Sequence, residues 1–276
     1  MLKFYVVLAG LCLSLGTLAQ TDTSSAPAEK VDTIRIGSLI IVKKGDGRYT
    51  NKDGSVTVTH NRKHNENVST NWAIVDLGFS NYTDNTQYGS AAAQQFAPGS
   101  NKDQFGLRTG KSVNFNLWFF MQRLNVIKHV VNLKYGLGIE SNNYRYDANV
   151  FYKKGPPMVI DTALHFSKNK LAADYITIPF MLNFNFTPNN EYNKSFGLSA
   201  GVSAGYLYSS RQKYISKETG KEKTKGELGL EPIKISYIAE LQLGPVKLYG
   251  SLATKSMFKN GLDQTPYNLG LRLSNW

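Results

Sequence analysis

From residue 233 the chain alternates. Ile233, Ile235, Tyr237, Ala239, Leu241 and Leu243 fall on one parity, and Lys234, Ser236, Ile238, Glu240 and Gln242 on the other. A period of two is that of a β-strand. An apolar face set against a largely polar one suits the wall of a membrane barrel, with lipid outside and a polar interior. Seven further stretches read the same way, so the pattern predicts strands at 72–82, 111–122, 128–146, 174–186, 195–208, 233–243, 246–258 and 266–276.

Their connections measure roughly 28, 5, 27, 8, 24, 2 and 7 residues in order. Long and short links alternate until the last pair, as they do where short turns lie at one membrane face and long loops at the other. The expected fold is therefore all-β: a transmembrane antiparallel up-and-down barrel of eight strands, or ten if residues 34–71 join it. An even count brings both ends of the barrel to the rim of the short turns. Unpaired strand edges would leave hydrogen bonds unmade in hydrocarbon, so the sheet should close on itself.

Parity also predicts which side chains face where. Val113, Phe115, Leu117, Phe119 and Met121 should face lipid, with Ser112, Asn114, Asn116 and Gln122 inward beside Trp118 and Phe120. Val131, Leu133, Tyr135, Leu137 and Ile139 oppose Asn132, Lys134, Gly136, Gly138 and Glu140. The tiny inward run Gly197, Ser199, Gly201, Ser203 and Gly205 leaves room for large inward rings. Eight strands enclose little more than a side-chain core, so a plugged interior is expected rather than a wide pore. Asp76, Lys134, Glu140, Glu240, Lys247, Lys255 and Arg272 are the expected lumen polar network, both signs being needed because an unpaired buried charge is costly. Tyr82, Tyr144, Tyr146, Tyr175, Tyr206, Tyr208 and Trp276 lie near predicted strand ends, where aromatic rings mark the membrane interface.

The first residues change the setting. Lys3, the apolar run 6–18 and Thr17-Leu18-Ala19 predict an export signal over 1–19 that is cleaved after Ala19. Its removal takes Cys12, the one cysteine, leaving no internal disulfide. Residues 20–33 read as a flexible leader and 34–71 as a small periplasmic, plug or extra-strand β region. Within the latter, 34–42 is apolar enough for a strand, Gly45-Asp46-Gly47 suits a turn, and 55–59 alternates. The barrel occupies 72–276.

The formal charge of +12 is spread over Lys43, Lys44, Lys153, Lys154, Lys168, Lys170 and the run 217–225, mostly in predicted loops. No aromatic-lined basic groove or recognition helix accompanies it, which argues against nucleic acid. Outer-membrane lipid and lipopolysaccharide, or another polyanion, are better partners for such a surface.

Two resemblances add to this reading. Asp174-Tyr175-Ile176-Thr177-Ile178-Pro179-Phe180 resembles the Tyr-x-x-Ile-Pro strand of the small outer-membrane β-barrel proteins of Bacteroidetes, often called PorT-like. Ile34-Arg35-Ile36-Gly37 and Trp72-Ala73-Ile74-Val75-Asp76-Leu77-Gly78 are similar to a subgroup of them. The resemblance implies a Gram-negative outer-membrane barrel without an assigned biochemical activity. Pro179 lacks a ladder donor and should mark a bulge, a strand end or an irregular site in the wall. The terminal strand resembles an outer-membrane assembly signal, with Tyr267, Leu269, Leu271 and Leu273 on one parity and Trp276 on the other. That implies the barrel-assembly machinery as a partner, beside an unidentified surface or periplasmic protein.

Enzymatic chemistry finds little support. His165 and Ser167 share a predicted external loop that Glu140 could approach, the sole arrangement resembling a Ser-His-acid set. His60 and His64 lack the apolar helical face that would present them to a metal, and Gly45-x-Gly47 is better read as a turn than as a phosphate loop. No catalytic residue, metal or cofactor is assigned. The expected protein is a non-enzymatic integral barrel whose long loops have a structural or surface-binding role. The alternatives are a lipid-modifying barrel enzyme, a narrow solute channel and a soluble secreted β-sandwich.

Overall fold

The computed structural model describes residues 32–36, 39–43, 67–152, 159–161, 166–188, 195–218 and 220–274. The export signal, the leader up to residue 31, the 55–59 alternation, His60, His64, His165 and Trp276 lie outside them, while Asp32 and Thr33, expected as the end of the leader, begin a strand. The chain divides into two units, one ending at His64 and one beginning at Asn65. In the first, β1 (Asp32–Ile36) and β2 (Leu39–Lys43) form an antiparallel pair whose register sets Ile36 opposite Leu39. The single strand expected over 34–42 is thus two strands, separated by Gly37 and Ser38.

The second unit holds β3 (Val68–Asp84), β4 (Val113–Ile127), β5 (Val131–Arg145), the short pair β6 (Val150–Tyr152) and β7 (Val159–Asp161), and β8 (Phe166–Asn185). There follow β9 (Phe196–Ser216), β10 (Gly220–Lys225), β11 (Ile233–Leu243), β12 (Val246–Ala253) and β13 (Gln264–Leu273). Eight of them close a ring in the order β9, β11, β12, β13, β3, β4, β5, β8, and β8 pairs back to β9. Every pairing is antiparallel. β10 extends the sheet from the upper part of β9, outside the ring. The eight wall strands are those the alternation marks out, and no described helix is long and apolar enough to cross a membrane.

The strand ends that meet at the β4–β5, β8–β9 and β11–β12 junctions share one rim with the start of β3 and the end of β13; those at the β3–β4, β5–β8, β9–β11 and β12–β13 junctions lie at the other. The first short turn begins where a strand was expected. Lys128 and His129 both take positive φ (44° and 59°), and Val130 N–H closes the turn onto the Ile127 carbonyl at 2.9 Å. Consecutive positive φ values match the right-handed twist of a hairpin. Neither residue type signals them, which is why sequence alone extended the strand by three positions.

Around the ring the outward positions are apolar and exposed: Leu77 and Phe79 on β3, Ile178, Phe180 and Leu182 on β8, Leu198 and Val202 on β9, Leu269 and Leu271 on β13. An exposed apolar face this wide is what a hydrocarbon surround requires. Two strands break parity. On β3 both Trp72 and Ala73 point outward, Ala73 with φ of 54°, so Asn71 and Ile74 both turn inward. On β4 the register against β5 slips between Trp118 and Phe120. The bulge sends Met121 inward, where it is fully buried, and turns Phe120 outward against Trp72, ring centroids 5.9 Å apart. The expectation of Met121 facing lipid and Phe120 facing the lumen is corrected: one extra residue reverses every side chain beyond it. Pro179 keeps its place opposite Ser203 on β9, while the β5 ladder lapses beside it between Tyr135 and Gly138.

Candidate functional site

The ring encloses two differently built regions. Through the middle, Arg272 from β13 is the centre. Its Nε donates to Asp76 Oδ1 at 2.7 Å, one Nη to Asp76 Oδ2 at 2.8 Å, and the other Nη to Glu240 Oε2 at 2.6 Å. Lys134 takes the second Glu240 oxygen at 2.6 Å, and Trp118 Nε1 donates to Asp76 at 2.7 Å. The guanidinium also lies 5.4 Å from the Trp118 ring and 5.8 Å from that of Tyr249. Above it, Glu140 pairs with Lys234 and accepts from Asn142 at 3.0 Å and Asn268 at 3.2 Å. Asn114 joins the two levels, donating to Asn116 and Asn142 and accepting from the Tyr249 hydroxyl.

Neighbouring glycines make space for the inward rings. A Cβ on Gly138 would meet Trp118 Cε3 at 2.7 Å, and one on Gly270 would meet Tyr249 Cε1 at 2.7 Å. Gly138, on the adjacent strand, thus makes room for Trp118. The cavity among Trp118, Glu140, Met181, Tyr249 and Arg272 measures about 20 Å³, space for roughly one water.

Six of the seven residues expected in the lumen, Asp76, Lys134, Glu140, Glu240, Lys247 and Arg272, are buried in the ring, with Lys247 donating to the Ser274 hydroxyl. Lys255 is not among them. It stands beyond β12, about half exposed, paired with Glu231 at 3.1 Å. Its strand ends at Ala253, so inward parity no longer applies there. Lys234 is the member that sequence reading left out, although it has the inward parity of β11. The Ser-His-acid arrangement is not assembled: Glu140 is buried inside against Lys234, while Ser167, on the outer surface, donates its hydroxyl to the Ile215 carbonyl at 3.1 Å. Among the described residues no cluster of His, Cys, Asp or Glu could hold a metal.

Toward the long-loop rim the filling becomes apolar. Phe96, Phe105, Tyr146, Val150, Tyr152, Leu228, Leu230, Met257, Phe258 and Leu262 come from four different loops and pack with Tyr82, Tyr144, Leu171 and Tyr175 of the wall. Helix α1 (Ala91–Phe96), capped at Ser90, brings Phe96 edge-on to Phe258 at 5.5 Å. Tyr152 stacks on Phe258 at 6.0 Å. A 3-10 turn over Lys102–Phe105, closed by a capping box between Asn101 and Gln104, holds Phe105 where its carbonyl accepts from the Tyr82 hydroxyl. Asn169 and Gln212, on the upper parts of β8 and β9, tether the β6 hairpin through the Val150 carbonyl at 2.6 and 2.7 Å.

Tyr82, Tyr144, Tyr146 and Tyr175 thus belong to this interior cap and not to an interface belt, whereas Tyr206 and Tyr208 do face outward. Burial in the cap pushes the Tyr146 and Tyr152 hydroxyls well above the ordinary phenol range.

A closed eight-stranded antiparallel ring, apolar outside, ion-paired within and capped by its own loops, defines a membrane β-barrel. The chain belongs to the family described as outer membrane protein beta-barrel domain, which matches residues 69–251. Solved structures with a likeness include Ail, the attachment invasion locus protein of Yersinia pestis, at 14% identity over 75% of this chain and 99% of that one, with a TM-score of 0.31. A mutant Rhodopseudomonas blastica porin follows at 10% identity over 75% and 100%, with a TM-score of 0.18. No curated protein matches the sequence.

Proposed function

We propose that the protein is a non-conducting, non-enzymatic barrel of the bacterial outer membrane that holds a folded, loop-built cap at the cell surface, in a structural or surface-binding role. The observation carrying this reading is the filled interior: an ion-pair lattice leaves about 20 Å³ at the centre, and an apolar cap closes the long-loop mouth. Long loops are the external ones in outer-membrane barrels.

The narrower kinship with the PorT-like barrels of Bacteroidetes is part of the same proposal and rests on 174–180 and 72–78. So are export by a signal cleaved after Ala19, contact with lipopolysaccharide, and delivery by the barrel-assembly machinery. For the last, Tyr267, Leu269, Leu271 and Leu273 offer a continuous outward apolar row on β13.

The test joins fractionation, gel mobility and conductance. The chain should sediment with the outer membrane, migrate differently boiled and unboiled, and give no steady current in a planar bilayer. A steady ion current would overturn the plugged reading, and a soluble chain with no heat-dependent shift would overturn the barrel.

A further inference from the structure

The strands β8 and β9 are 20 and 21 residues long, about twice what a tilted strand needs to cross hydrocarbon, so their upper parts stand beyond it. There the register between them slips. Tyr175 pairs with Leu207 but Asp174 with Ser209, which makes Tyr208 an extra residue. The bulge reverses β9. Below it Tyr206 faces out; above it Gln212 and Tyr214 turn inward and Arg211 and Lys213 come to the outer face.

As a result, four cations lie directly opposite one another across four strands: Arg145 on β5 faces Lys170 on β8, Lys170 faces Lys213 on β9, and Lys213 faces Lys223 on β10. Lys168 and Lys221 both oppose Ile215 in the next row, and Arg211 opposes Lys225 in the row below. Like charges placed opposite each other in a sheet are destabilising. Among the described residues only Arg211 of this set has an ion pair, with Asp174. Repulsion is felt at Lys213, whose ammonium is held below its ordinary value first by Lys221.

Below the rows, the same outer face continues into Tyr208, Tyr206, Ile176 and Ile178, the exposed apolar wall. Between them, where β9 parts from β11 after Tyr206 and takes up β10 at Arg211, lies an open groove of about 360 Å³ bordered by Tyr206, Tyr208, Ser209, Lys225, Glu227 and Lys259. That volume is within the range of small-ligand sites.

We propose that this face binds the phosphorylated sugar headgroup of an outer-leaflet glycolipid, with phosphates on the Lys170, Lys213 and Lys223 row, sugar in the groove beside Tyr208, and acyl chains along Ile176 and Ile178. A lipid, rather than a soluble polyanion, is favoured because the cations continue the lipid-facing surface of the same strands. The inference rests on the reading of the chain as an outer-membrane barrel in contact with lipopolysaccharide, and gives that contact its residues.

The test uses the full chain refolded into phosphatidylcholine vesicles containing either bisphosphorylated lipid A or the same lipid A stripped of phosphate. Lipid A retained through detergent extraction and gel filtration is measured for the wild type and for the Lys170→Gln/Lys213→Gln/Lys223→Gln variant. Wild type should retain the phosphorylated form about a hundredfold better than the triple variant, at about fivefold per lysine, and show little retention of the stripped form. Unfolding midpoints should cross over: wild type the more stable with phosphorylated lipid, the variant the more stable without it, because only the repulsion then remains.

Lys223→Gln alone lies outside the closed ring and should lower retention in the same direction even if the triple variant folds poorly. Equal retention of both lipid forms, or an unchanged Lys223→Gln, overturns the proposal. So does inositol hexakisphosphate displacing the lipid at equal phosphate concentration, which would make the face a soluble-polyanion site. A wild-type chain without a heat-dependent gel shift would instead overturn the barrel reading beneath it.

Discussion

The middle of the barrel and its mouth are filled by opposite means. In the middle, Asp76, Lys134, Glu240 and Arg272 neutralise one another across strands far apart in the chain; at the mouth, Phe96, Tyr152, Leu230 and Phe258 pack from four loops. A wall residue in the middle is fixed by the ladder on both sides, so its charged tip reaches a partner at little added ordering cost. Loop residues have no such ladder and must gain order from burial, at about 1.5 to 3 kcal/mol for each large apolar side chain. The lattice should therefore govern whether the barrel holds together, and the cap whether its mouth stays shut.

The largest effect expected is from Arg272→Met. It leaves Asp76 and Glu240 buried without their shared cation and should cost about 3–5 kcal/mol, read as a lower urea midpoint of the heat-shifted band. If the midpoint is unmoved, the lattice does not govern the barrel. Phe258→Ala removes the ring between Phe96 and Tyr152 and should cost the cap about 3 kcal/mol, seen as faster protease cutting within the loops while the barrel band persists. Loss of the barrel band at the same urea concentration would show the two regions to be one cooperative unit.

Combining the two substitutions sharpens this. Independent regions should add to within about 0.5 kcal/mol, and a larger deviation would signal coupling. Gly138→Val, whose Cβ would meet the Leu117 carbonyl at 2.5 Å as well as the Trp118 ring at 2.7 Å, should destabilise by about 1–3 kcal/mol in the same urea assay and stay destabilised when Trp118→Leu is added, because the backbone clash remains. Smallest of all is Lys255→Gln: its ion pair with Glu231 is exposed, and the change should stay within about 1 kcal/mol in the same urea assay.

Much of the wall was legible beforehand because strand parity is local. Asn132, Lys134, Gly136, Gly138 and Glu140 face inward as their spacing requires, as do Lys234, Ser236, Glu240 and Gln242. Parity failed at Phe120 and Met121, where a bulge that no residue type announces reverses the count. It also fell short on β8, β9 and β10. In water a strand needs no apolar outer face, so Lys168, Lys170 and the run 220–225 looked like charged loop.

What the sequence by itself determined is the barrel's outer surface and the inward placement of most of its charges, since both follow from a period of two along eight separate stretches. Which charge meets which, and that the loops fold into an apolar cap, was decided only by the tertiary structure. Arg272 reaches Asp76, 196 positions away, because ring closure sets β13 beside β3. Phe96, Tyr152, Leu230 and Phe258 show no shared period, and only the closed wall brings them together over one mouth.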